Sequence, residues 1–145
     1  EAELKSRCEI MLENYCKTVL IEANTMIDMV KTEIAPAVSA YELELANTAA
    51  AKKDVDDSIS CSYEMGLLKK LARLEDQIII KAEELEEAVM KVQSARSIME
   101  ESYMIRDIVL NKMGELRVAC DGAETVTAKK YWPFPTYGDL LFGVK

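Results

Sequence analysis

The chain has 145 residues, half of them hydrophobic but only 6% aromatic, with five Gly, three Pro and no His; that is the length of one domain and the composition of long helices. The lack of His excludes Glu-x-x-His di-iron sites, His-ligated zinc centres and Cys–His or Ser–His catalysis. A net charge of −8 and a pI near 4.7 oppose nonspecific attachment to nucleic acid or to an anionic membrane face, so neither is expected as a partner.

The chain opens at Glu1-Ala2-Glu3-Leu4, already in a helical pattern and without an initiator Met. That start reads either as a segment cut from a longer polypeptide or as a processed N-terminus. Apolar or small residues then recur in steps of three or four at Cys8, Leu12, Tyr15, Val19, Ala23, Met26, Val30, Ile34, Ala37, Tyr41 and Leu45. They form one amphipathic stripe and predict a helix over about 4–52. Pro36 has no N–H for the Thr32 carbonyl, yet the stripe keeps its phase across it, so a kink near 36 is expected rather than a stop. Such a helix is roughly 70 Å long, and its first turns should overhang any compact core.

Lys52 to Ser58 breaks the pattern and offers several N-cap residues, which marks the first turn. A second helix is predicted over 57–92 on the stripe Leu67, Leu71, Leu74, Ile78, Ala82, Leu85, Val89 and Val92. Glu83, Glu84, Glu86 and Glu87 fall mostly off that stripe and read as a solvated face, and Ile78-Ile79-Ile80 is wide enough to touch two neighbours. Gln93 to Ser97 contains neither Gly nor Pro but is taken as the second turn. A third helix is predicted over 97–129 with Ile105, Val109, Met113, Leu116, Cys120 and Ala123 on one face, weakened at Gly114 and Gly122.

Three long helices with short connections pack as antiparallel neighbours, so the expected fold is all-α, an up-down-up three-helix bundle over 1–130 with coiled-coil-like seams. The segment 131–145 breaks with everything before it. It holds the single Trp, both Phe residues and two of the three prolines. Pro133 and Pro135 bar a helix and favour an extended strap. Trp132, Phe134, Tyr137, Leu141 and Phe142 are its candidate docking anchors, each contributing about 1.5–3 kcal/mol if buried.

Chemistry is sparse. Cys8, Cys16, Cys61 and Cys120 are scattered, with no C-x-x-C, and read as reduced thiols of a cytosolic protein that serve as small buried hydrophobes. The five glycines fit no phosphate loop or dinucleotide fingerprint. Arg106-Asp107 and Glu115 with Arg117 are surface pairs rather than acid and base, because neighbours one or two apart on a helix do not face each other. No catalytic, cofactor or metal residue is identified.

The end of the chain has a recognisable pattern. Arg106-Asp107-Ile108-Val109-Leu110, Met113, Glu115-Leu116-Arg117 and the run Tyr131 to Phe142 resemble the carboxyl end of type III glutamine synthetases, the large bacterial form. Glu13-Asn14-Tyr15, Ile21-Glu22-Ala23 and Ala35-Pro36-Ala37-Val38 resemble the stretch entering that family's C-terminal helical region, and Asp121-Gly122-Ala123-Glu124 departs from it. The resemblance implies a parent enzyme that joins ammonia to glutamate with ATP and magnesium, built as a double-ringed homododecamer. It implies no catalytic or metal residue in this chain, whose partners would be its own catalytic region and neighbouring subunits. The competing expectation is a free-standing helical adaptor whose stripe recruits a partner helix.

Overall fold

The computed structural model describes residues 1–135, and all their regular structure is helical. The first rod is continuous over 2–55: α1 (Ala2–Met29), a π turn π1 (Val30–Ile34) and α2 (Ala35–Val55). Proline sets the π turn in context. Pro36 offers no N–H, and one residue before it Ala35 N–H closes onto the Val30 carbonyl, a five-residue span in place of four. The chain therefore passes the proline without stopping.

The buried residues of this rod are Cys16, Val19, Ala23, Ile27, Val30, Ile34, Val38, Tyr41, Leu45 and Ala49. Their steps of three, four and four make an eleven-residue repeat of about 3.67 residues per turn, the period of a right-handed rather than a left-handed seam. The predicted stripe is corrected at several points. Cys16 is buried where Tyr15 was expected, Ile27 lies deeper than Met26, and Val38 deeper than Ala37. Residues 1–11 are exposed, as the expected overhang requires, and they take Cys8 with them.

The first turn is held by side chains. Asp56 Oδ1 accepts the Ser58 N–H at 2.9 Å, and the Asp56 carbonyl accepts the Ile59 N–H at 3.1 Å. These bonds use up the residues in which a helix from 57 was expected, so α3 runs Ser62–Val92. It returns along the first rod: Lys31 pairs with Glu86, and Lys52 Nζ donates to both carboxylate oxygens of buried Glu64 at 2.7 and 3.0 Å. Leu71, Ile78 and Leu85 are fully buried, whereas Ile79 and Ile80 are exposed. The isoleucine triplet thus packs through Ile78 alone.

Ser97 caps the next rod by accepting the Glu100 N–H at 3.1 Å, while Glu100 Oε2 accepts the Arg96 N–H at 2.8 Å. This Ser-x-x-Glu arrangement is a capping box displaced by one residue. The third rod, over 98–126, comprises α4 (Ile98–Met104), π2 (Ile105–Val109) and α5 (Leu110–Val126). Within π2 no proline intervenes, yet Leu110 N–H again reaches back five residues, to Ile105. Ile105, Val109 and Leu116 seal the core against α3.

Charges tie α3 to α5. Lys81, Glu84, Lys112 and Glu115 alternate in a closed ring whose four Nζ–oxygen distances are 3.3 to 3.4 Å. Glu84 is held below its usual carboxylate range by hydrogen bonds from Lys81 and Lys112. Two members of the expected solvated glutamate face therefore cross to other rods, Glu86 to the first and Glu84 to the third. Glu83 and Glu87 remain exposed.

Candidate docking site at the end of the bundle

The site is built where α5 stops. Thr127 turns to an extended backbone while its N–H still donates to the Ala123 carbonyl at 2.9 Å. Tyr131 and Trp132 N–H groups then both donate to the Ala128 carbonyl, at 2.9 and 3.2 Å. The strap accordingly begins with a turn that folds the chain back onto the bundle before the proline-spaced residues 132–135. The Tyr131 and Trp132 N–H groups are satisfied within this turn, and the contacts to the helices run through side chains.

Tyr131 stacks on Tyr41 of α2 with centroids 5.4 Å apart. Lys130 Nζ reaches Glu44 Oε1 at 2.7 Å and lies 5.1 Å from the centre of the Tyr131 ring. Hydrogen bonding and attraction to Glu44 raise the Lys130 ammonium above its ordinary range. Trp132 meets Phe134 edge to face at 6.4 Å, and both are half-buried against the bundle's own hydrophobic core. Two of the five candidate anchors are thus brought together on this chain. Tyr137, Leu141 and Phe142 lie outside the described residues.

Sequence reasoning missed the receiving side. Tyr41 was placed on the core stripe without a role, and Glu44 was passed over. One signal was available: a tyrosine in an aliphatic stripe asks for neighbours for both ring and hydroxyl, and Tyr131 supplies the stacking ring while Tyr63 meets the hydroxyl.

Arg106 Nε and Asp107 Oδ1 do pair, at 3.0 Å, although adjacent in sequence; both sit in π2, both are exposed, and the guanidinium lies over the Tyr103 ring at 5.0 Å. Glu115 serves the ion ring and does not pair with Arg117. The four thiols are free, with Cys16 and Cys61 buried, Cys120 half-buried and Cys8 exposed, so the expectation of four buried thiols fails at Cys8. Burial, then the charge of Asp121, pushes the Cys120 thiol up to about 11, which leaves it an unreactive thiol at neutral pH. Among the described residues, no three His, Cys, Asp or Glu side chains are grouped to hold a metal ion, and no helix is long and apolar enough to cross a membrane.

Residues 1–53, the first rod, match the family described as the glutamine synthetase C-terminal domain. A glutamine synthetase of Butyrivibrio fibrisolvens is 34% identical over 143 residues, covering 99% of this chain and 20% of that protein. The chain is similar to the glutamine synthetase C-terminal domain. The type-3 glutamine synthetase of Dictyostelium discoideum is 26% identical over 97% of the chain, and a glutamine synthetase of Bacteroides fragilis 23% over 98%. In each case the chain spans about a fifth of the glutamine synthetase it matches. No solved structure matches the chain.

Proposed function

We propose that the chain is the non-catalytic C-terminal part of a glutamine synthetase of the type III kind, working as an up-down-up helical bundle with a structural or assembly role. The single observation that carries the reading is the span of the similarity: nearly the whole chain aligns, at 34% identity, with only a fifth of a glutamine synthetase. The bundle topology is supported by the pairing of Lys31 with Glu86 and Lys52 with Glu64 between the first rod and α3, and by the ring joining α3 to α5.

On this reading the ligation of ammonia to glutamate, with its ATP and magnesium, belongs to the part of the cytoplasmic enzyme outside this chain. The strap's first half packs on its own bundle through Tyr131, Trp132 and Phe134, and its remainder, with Tyr137, Leu141 and Phe142, docks on the catalytic region or a neighbouring subunit of a homododecamer. Buried aromatic anchors dominate such contacts. The test is turnover: the purified chain mixed with glutamate, ammonia, ATP and magnesium should release no phosphate above blank. Clear turnover would refute the assignment.

One feature favours the adaptor reading. The first and third rods leave a shallow groove of 260 Å³ lined by Met26, Met29, Val30, Ile34, Arg117 and Cys120, an adaptable methionine-rich surface of the sort helical partners use. The gene separates the two: a reading frame running on upstream of Glu1 through a ligase region supports the enzyme part, and a start codon immediately before Glu1 supports the adaptor.

A further inference from the structure

Glu42 of α2 and Glu75 of α3 meet at the helix interface, one residue from the Tyr41 ring that seats the strap. Glu42 Oε1 and Glu75 Oε2 are both sealed from solvent, and among the described residues nothing but the facing carboxyl reaches either oxygen. The two carboxyls hydrogen-bond to each other. Two carboxylates cannot do that; one of them must carry a proton. Asp76 of α3 is the other charge that bears on Glu42. On the strap side, the neighbouring cation Lys130 is bound to Glu44.

We propose that the Glu42–Glu75 carboxyl pair is a proton-operated latch for the strap: with one proton shared, α2 and α3 stay closed beneath Tyr41 and the 127–135 segment is seated; without it the segment is released. The chemistry is a simple loss. The proton leaves Glu42 for solvent, the hydrogen bond between the two carboxyls disappears, and two facing carboxylates beside Asp76 repel across the interface. Tyr41, adjacent on α2, carries the displacement to Tyr131. Burial first, then the bond to Glu75, then the charges of Glu75 and Asp76 push the Glu42 carboxyl up to about 8. Because the folded value lies above the ordinary one, the contribution is complete at pH values below the ordinary glutamate range. It is lost as pH rises through about 8.

The chain carries its own reporter, since Trp132 is its single tryptophan and lies in the strap. Titrating the full chain from pH 6 to 9.5 should shift Trp132 emission to the red with a midpoint near 8 while far-UV circular dichroism holds constant. Glu42→Gln keeps a donor for Glu75 at every pH and should abolish the transition with the strap seated. Asp76→Asn, which removes a charge opposing ionisation, should move the midpoint down in pH. Emission that stays flat across the range in the native chain, or that shifts with an unchanged midpoint in Glu42→Gln, overturns the latch. If Glu42→Gln does not fold, Glu75→Gln replaces it with the same two readings.

Discussion

The rings of Tyr41 and Tyr131 stack at 5.4 Å between centroids, with planes inclined by 29°, and join the middle of the first rod to the chain beyond the third. This contact seats the strap against α2, and it is local: Tyr131 hangs on a turn rather than on a helix. Tyr131→Ala should cost about 1–2 kcal/mol, the sum of a stacking term and a partly buried aromatic surface. Helicity should stay the same. A thermal melt read by circular dichroism measures the loss, and an unchanged melt would show that Trp132 and Phe134 hold the strap without it.

The helical glycines give a graded prediction. An added Cβ meets nothing within 4 Å at Gly114, whereas at Gly122 it comes within 3.4 Å of Leu74 Cδ2. Gly114→Ala should therefore stabilise by about 0.5–1 kcal/mol through helix propensity alone. Gly122→Ala should gain less, because Leu74 has to give way slightly. Equal gains in denaturant melts would mean that the α3–α5 contact is looser than described.

Pro36 offers the sharpest test of the first rod. The π turn before it has already removed the conflict between the proline and the preceding carbonyl, and π2 forms the same turn with no proline at all. Packing phase, more than the imino ring, therefore sets these turns. Pro36→Ala should leave the fold intact and change stability by less than about 1 kcal/mol, a restored donor offset by a more flexible unfolded chain. A loss of several kcal/mol in urea melts would show that the proline itself specifies the rod.

What the sequence revealed, and what it hid, follows from the range of each interaction. Leu71, Ile78 and Leu85, and likewise Ile105, Val109 and Leu116, were legible because burial repeats at the helical period along one segment. The shift from Tyr15 to Cys16 was not, since adjacent residues lie about 100° apart on a helix and only the position of the other rods decides between them. The second turn was legible in a signal left unused, the Ser97-x-x-Glu100 capping box. Contacts such as Lys130 with Glu44, 86 residues apart, depend on packing three rods and leave no local trace. The same holds for Glu42 with Glu75. The anchors Trp132 and Phe134 stood out by composition, but nothing in their own segment names Tyr41 as the neighbouring contact.

The proposal that this chain supports the assembly of a glutamine synthetase is tested most directly by removing residues 131–145 from the full-length gene product. Size-exclusion chromatography and synthetase activity are then compared with those of the intact enzyme. The account predicts a smaller or heterogeneous assembly with impaired activity while the bundle keeps its helicity. An assembly of unchanged size with full activity would contradict it.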